Sequence, residues 1–317
     1  MKISGFSMAR NADKLYYPLR QAIESVLPLV DEFVVAIGQG DNDDRTRELV
    51  AGIRSNKVRI IDTVWDIEKY PRGMEHAHQT DIAKSHCTGD WLIYLQADEV
   101  IHEKYLETIR AACSAYLHDK EVEGFILGYK HFWGDYQHHH KSHGWYPYEI
   151  RIIRNDPDIH SWESAQSFRR IPDFDGLHYR QKENTFKLKV VQIDAEVFHY
   201  GWVRPPALMT KKTKAFVTNH KGKETADKLF DQIIPFDYGP LHRLNKYEGS
   251  HPAVMKEWIK GFHWKDQLQY TGKSKNRGKQ KARHERIKNR LVSFIKYKVL
   301  HMPMLGEFNN FTLLKKR

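Results

Sequence analysis

Cysteine is scarce. The chain holds two, Cys87 and Cys113, in 317 residues, too few for a disulfide framework. Both fall in stretches of helical pattern without metal-ligating neighbours, and read as small core residues in a reducing compartment. No apolar run approaches the roughly 20 residues of a membrane-spanning helix. The opening "MKISGFSMARNADK" has no apolar core of a secretory signal. A cytoplasmic protein is therefore expected. Internal repeats, zinc-finger spacing, an RNP motif and a helix-turn-helix pattern are all missing, so nucleic acid is not expected as a partner.

What the chain has is positive charge. Lys and Arg number 51 against 40 Asp and Glu, a net charge of +11. Such an excess favours an anionic partner: a nucleotide, a nucleic acid or an acidic membrane surface. Much of it lies in "KSKNRGKQKARHERIKNR", residues 273–290. The length suits one large domain or two modest ones.

The first 120 residues alternate between strand and helix patterns. Strands are predicted over 2–7, 32–38, 57–62 and 90–95. Helices are predicted after Pro18 (Leu19, Ile23, Val26 and Leu27 at helical spacing), over 46–54 with Asp43 or Asp44 as N-cap, around 74–87, and over 103–117. Alternation of this kind argues for an open, mainly parallel sheet. Beyond residue 120, strand-like runs at 124–133, 149–154 and 186–200 follow without regular helices. Helical patterns resume near 206 and run to the end.

Ligands of an open α/β sheet bind beyond the carboxyl ends of its strands. Three polar clusters occupy that edge: "SMARNAD" after the first strand, "GQGDNDD" after the second and "QADE" after the fourth. A carboxylate there is a hard oxygen ligand suited to Mg²⁺ or Mn²⁺, and a nucleotide diphosphate needs such an ion to neutralise its leaving group. Asp98 is the candidate metal ligand. Glu99 either joins it or caps the following helix.

Taken together, "SMARNAD", "GQGDNDDRT" and "GDWLIYLQADE" resemble the nucleotide-binding half of a family 2 glycosyltransferase of bacterial type. "HFWGDY" (131–136), "WYPYEIRIIRN" (145–155), "VFHYGWVRPP" (197–206) and "YEGSHPAVM" (247–255) also resemble blocks of that family, in chain order. The resemblance implies a GT-A Rossmann-like mixed sheet flanked by helices, with a helical C-terminal extension. It implies a catalytic domain over 1–205, with a nucleotide-binding half 1–120 and an acceptor half 121–205, followed by a basic region over 206–317. It also implies inverting transfer of a sugar from a UDP- or GDP-linked donor to an acceptor hydroxyl, aided by Mn²⁺ or Mg²⁺. On this reading Arg10 and Asn11 lie beside the nucleotide, and Asp41, Asp43 or Asp44 contacts the base or ribose. Asp98 holds the metal, His199 completes the metal site or is a core histidine, and Arg204 meets the diphosphate. Trp202 stacks on a sugar or packs in the core.

Two positions depart from the family pattern. Gln96 stands where the first aspartate of the DxD pair is usual, and suits a hydrogen bond to the ribose better than a metal. Ala36 or Ile37 replaces the aspartate at the end of the second strand. An inverting transfer needs a general base; Glu163 in "HSWESAQSF" is the expected one, with Asp135, Asp156 and Asp158 in reserve. "HHH" (138–140) reads as a solvated or acceptor-facing loop. The aromatics around it, Trp133, Tyr136, Trp145 and Tyr146, suit carbohydrate or core.

The basic C-terminal region is a solvated helix face or a contact with anionic lipid. In the second case "RLVSFIKYKVL" (290–300) supplies apolar residues beside lysines, and the acceptor is a glycan or lipid-linked molecule at the inner membrane face, as in surface polysaccharide or lipopolysaccharide synthesis. Two competing functions remain. One is a sugar-nucleotide pyrophosphorylase, although the first loop lacks that group's Gly-rich Arg-Lys signature. The other is a non-catalytic glycan- or nucleic-acid-binding protein on a transferase scaffold.

Overall fold

Apolar residues on both sides of each early strand dictate a sheet covered on both faces. In the computed structural model, which describes residues 1–231, 234–273, 281–302, 304 and 309–315, this is what forms. The first half runs β1 (Ile3–Ala9), α1 (Leu19–Val26), β2 (Glu32–Gly38), α2 (Thr46–Ala51), β3 (Val58–Thr63), α3 (Met74–Ser85), β4 (Trp91–Tyr94), β5 (Glu99–Ile101) and α4 (Leu106–Ala115). Next come β6 (Gly124–Trp133), β7 (His138–His140), β8 (Tyr148–Arg154), β9 (Ile159–Trp162), β10 (Ser167–Arg170) and the long β11 (Phe186–Trp202). The remainder holds α5 (Pro206–Lys221), α6 (Lys223–Leu229), β12 (Asn245–Lys246), α7 (Lys256–Lys260), α8 (Ile287–Phe294) and β13 (Phe311–Leu313).

The main path of the sheet is β3-β2-β1-β4-β8-β6-β11-β10-β9. Pairing is parallel from β3 through β4, antiparallel on both sides of β8, and parallel again between β6 and β11. Strands β1, β2, β4, β6 and β11 therefore point the same way, and their carboxyl ends share one edge. The protein is a mixed α/β sheet flanked by helices, as the sequence predicts. Alternate residues feed two cores. Phe33, Val35, Trp91 and Ile93 pack with α1 and α4 on one face, whereas Phe6, Val34, Leu92 and Tyr94 face the other, with Ala83 of α3.

Four local expectations change. No aspartate caps α2: Arg45 precedes it without a side-chain cap. Asp44 instead accepts from the Thr46 hydroxyl, which in turn accepts from the Ala12 amide, so buried Thr46 ties this loop to the one after β1. Glu99 caps nothing. It lies on β5, buried, with both oxygens held by Arg151 at 2.8 Å. The "HHH" segment is not a loop but strand β7, paired with β6 and β12, with His139 and His140 buried. Finally, among the described residues helix over the C-terminal stretch is confined to α5, α6, the short α7, and α8 with its π-wound continuation Ile295–Val299, apart from single 3-10 turns. The intervening aromatics, Trp264 among them, pack around Phe132, Tyr136 and Tyr200 in a third core, and β13 returns to pair with β11. Residues 274–280 of the basic run lie outside the described residues.

Candidate active site

The shared strand edge opens into a cleft of about 1440 Å³. A single small-molecule site takes roughly 300–1,000 Å³, so there is room for two ligands. One wall is the loop after β1, with Arg10 and Asn11. The floor is Gln96, Ala97 and Asp98, after β4. The opposite wall is α5, which turns Lys212, Phe216, Asn219 and His220 to the cleft at helical spacing.

Asp98 sits at the centre, 5% exposed. Its Oδ2 is 3.2 Å from Lys212 Nζ and its Oδ1 is 3.7 Å from His199 Nε2. Burial pushes its carboxyl up, but Lys212, His199 and Arg204 outweigh that and hold it at about 2. Burial, with Arg204 nearby, draws Lys212 down to about 8, against the pull of Asp98. His199 is lowered by burial, partly offset by Asp98. Its Nδ1 lies 2.9 Å from Nδ1 of buried His131.

Asp98 and His199 fit a divalent ion. At 3.7 Å their facing atoms are too far apart for a hydrogen bond and within the span of two ligands each about 2.1 Å from one cation. The space is kept open by Gly201: a Cβ there would stand 2.5 Å from both Asp98 Oδ2 and His199 Nε2. One carboxylate and one imidazole suit Mn²⁺ better than Mg²⁺, which prefers oxygen alone. Among the described residues no cluster of three or more His, Cys, Asp or Glu could hold a metal, so water or a bound ligand would fill the other positions.

The other sequence-selected residues are placed unevenly. Arg10 Nε donates to the Gln39 carbonyl at 2.9 Å, and its guanidinium lies 5.6 Å from the Trp65 ring centre. Asn11, at φ 54°, accepts from the Asp41 amide and so joins two loops. Asp41 and Asp43 both bind Lys14, at 2.7 and 2.6 Å, and neither they nor Asp44 line the cleft. Gln96 lines it, its amide donating to the Ala165 carbonyl at 2.9 Å. Arg204 does not. It is fully buried behind Tyr17, 4.5 Å from that ring centre, with Nε and Nη2 unpartnered. Glu163 also lies outside the lining, 3.7 Å from Arg180 Nη2, although Ser164 and Gln166 of the same loop line it.

Sequence reasoning missed Lys212, Gly201 and Glu149. Lys212 is one of three lysines within "KKTK", and nothing local distinguishes it. Glu149 lines the cleft and is buried. Burial raises its pKa despite Arg151 nearby and hydrogen bonds from Asn310, Ile150 and Ser167. At the far end, Trp133, Trp145 and Trp202 pack together, with Trp133 stacked on Trp202 at 4.8 Å and His140 stacked on Trp145 at 4.3 Å. Lys281, Arg283 and Arg286 line the mouth there.

No protein-family model matches the chain, and no curated protein matches it. Solved structures do. The chain is similar to S. aureus TarS at 15% identity, covering 72% of this chain and 42% of that one, with a TM-score of 0.35. A structure of TarS residues 1–349 in complex with UDP matches at 14% identity, covering 72% and 69%, with a TM-score of 0.35. Glucosyl-3-phosphoglycerate synthase from Mycobacterium tuberculosis, in complex with Mn²⁺, UDP and phosphoglyceric acid, matches at 16% identity, covering 40% and 42%, with a TM-score of 0.27. The chain thus spans less than half the length of the first of these.

Proposed function

We propose that the protein is an inverting glycosyltransferase that moves a sugar from a UDP- or GDP-linked donor to an acceptor hydroxyl. One observation carries this reading: Asp98, His199 and Lys212, from three separate segments, meet over the gap left by Gly201 inside a two-ligand cleft. The blocks resembling family 2 glycosyltransferases surround that point in sequence. Asp98 and His199 would hold Mn²⁺. When bound, the ion neutralises charge on the departing diphosphate.

The chain's own residues do the rest. Arg10 and Trp65 form a cationic and aromatic corner for the nucleoside. Gln96 offers a neutral carbonyl and amide at the floor. The tryptophan cluster provides ring faces for the apolar C–H surface of a sugar. The general base must be a carboxylate within one hydrogen bond of the acceptor oxygen. Glu149 meets the burial and lining requirements; Glu163 would first have to leave Arg180 and turn inward.

Among the described residues no helix is long and apolar enough to cross a membrane. Helix α8 instead suits contact with an anionic bilayer surface, where a lipid-linked acceptor of a polysaccharide or lipopolysaccharide pathway would be met. Ile287, Leu291 and Phe294 are 81%, 60% and 59% exposed. Its inward side is polar: Ser293 Oγ accepts from the His143 amide at 2.8 Å. An apolar stripe turned outward beside lysines is the pattern of an interfacial helix.

Calorimetry with UDP and GDP, with and without Mn²⁺, tests the function. Binding of one nucleotide, strengthened by Mn²⁺, is expected, followed by sugar release from the matching donor. A protein that ignores both nucleotides overturns the reading, and release of pyrophosphate from a nucleoside triphosphate replaces it with the pyrophosphorylase.

A further inference from the structure

Lys212 stands where a metal-dependent site would be expected to keep its carboxylate free. Its Nζ is 3.2 Å from Asp98 Oδ2 and 2.7 Å from the Gly201 carbonyl. The ammonium lies 5.0 Å from the Tyr17 ring centre and 5.7 Å from that of Trp202. Among the described residues it is the one side chain that hydrogen-bonds the Asp98 carboxylate. The resident ammonium and a cation held by Asp98 and His199 would be neighbours within a buried pocket, where like charges repel strongly. The ammonium is on Oδ2 and the gap to His199 is on Oδ1, so the two cations would share one carboxylate and each would weaken the other's hold on it.

The stem of Lys212 springs from the face of α5 that also presents Phe216, Asn219 and His220 to the cleft. An ammonium released from Asp98 therefore points at the cleft contents. It has three donors and no acceptor, so an anionic oxygen is the partner it can take.

We propose that Lys212 is a built-in counter-ion of the diphosphate subsite: it occupies Asp98 until a divalent cation or a diphosphate draws it away, and it then serves the diphosphate with or without the ion. This rests on the nucleotide-sugar reading above. Two consequences follow. The ion binds weakly to the nucleotide-free protein, because it must enter against the charge of the ammonium. Diphosphate binding retains a component that needs no metal. Through linkage, metal and nucleotide each raise the other's affinity.

The test uses the full chain and two neutral variants. Lys212→Met keeps the apolar stem, and Lys212→Gln keeps a donor for the Gly201 carbonyl. Mn²⁺ is titrated without nucleotide, with free Mn²⁺ followed by electron paramagnetic resonance. UDP and GDP are titrated in excess chelator by calorimetry. Each neutral variant is expected to bind Mn²⁺ about tenfold or more tightly than the parent, and to lose about tenfold or more of the metal-free nucleotide affinity, as removal of one close charge pair predicts. Lys212→Arg should keep the parental metal-free nucleotide affinity. A folded neutral variant with unchanged affinity for both overturns the proposal. If the parent binds neither nucleotide under any condition, the glycosyltransferase reading fails. The Mn²⁺ titration still reports on competition for Asp98: an unchanged variant there sinks the counter-ion as well.

Discussion

His131 Nδ1 lies 2.9 Å from His199 Nδ1, with the two rings at 84°, and His131 Nε2 lies 2.8 Å from the Tyr146 carbonyl. A carbonyl only accepts, so Nε2 of His131 carries a proton. Burial, and then His199, keeps His131 well below the usual histidine range, so its Nδ1 is a bare acceptor. His199 must therefore donate from its own Nδ1, which leaves its Nε2 lone pair facing Asp98. A partner that fixes the tautomer of a ligating imidazole commonly contributes 10–100-fold to metal affinity. His131→Phe keeps a ring but removes the acceptor. Mn²⁺ affinity in the presence of UDP should fall by about that factor, read by calorimetry. An unchanged affinity would reduce His131 to packing.

The base assignment separates two glutamates. Glu149→Gln should lower kcat by about 10²–10⁴-fold while UDP affinity stays within about twofold of the parent. Glu163→Gln should have the smaller effect, because Glu163 faces Arg180 rather than the cleft. The Glu149 variant also sets an amide against the Asn310 Nδ2 donor, 2.8 Å away, costing about 1–3 kcal/mol. A melting curve must accompany the kinetics. Full activity in a folded Glu149→Gln protein, with loss in Glu163→Gln, would return the role to Glu163.

The strand pattern of the first half was legible because both faces of β1, β2 and β4 are buried and their ends carry polar clusters. Asp98 was legible for the same reason, as a carboxylate at a strand end. What the sequence hid is what depends on distant segments. Lys212 reaches Asp98 across 114 residues, and nothing in "KKTK" marks it. "HHH" looked solvated because three histidines are polar, yet β7 lies between β6 and β12 and is covered by Trp133 and Trp145. Asp41 and Asp43, read as nucleotide contacts, lie outside the cleft lining, and both bind Lys14. The C-terminal stretch looked helical because its apolar spacing suited a helix. Its aromatics are spent on packing against Phe132 and Tyr200, and regular helix is not needed for that.

Helix α8 gives a membrane prediction. The protein should co-sediment with vesicles containing phosphatidylglycerol and much less with phosphatidylcholine alone, and the binding should weaken with salt. Leu291→Glu with Phe294→Glu should abolish it without lowering the melting temperature, since both side chains are largely exposed. Vesicle-independent dimers that the same double variant dissolves would make this face a protein contact instead.

Acid sensitivity should come from histidines buried in neutral form. Burial, with Lys141 and Lys130 nearby, brings His139 down to about 4; burial, with Arg243 and His242 nearby, does the same to His284. In the unfolded chain each returns to about 6.5. The folded state thus binds these protons less readily than the unfolded one. Their stability contribution is complete above about pH 6.5, declines as pH falls, and is gone near pH 4. The loss is on the order of 1–3 kcal/mol for each. Urea midpoints measured between about pH 7.5 and pH 5 should therefore fall steadily. His284 has neither ring nitrogen hydrogen-bonded, so His284→Phe removes a titrating group without breaking a bond. That variant should match the parent at neutral pH and lose less stability in acid. A variant with the same acid dependence as the parent would place the titrating group elsewhere.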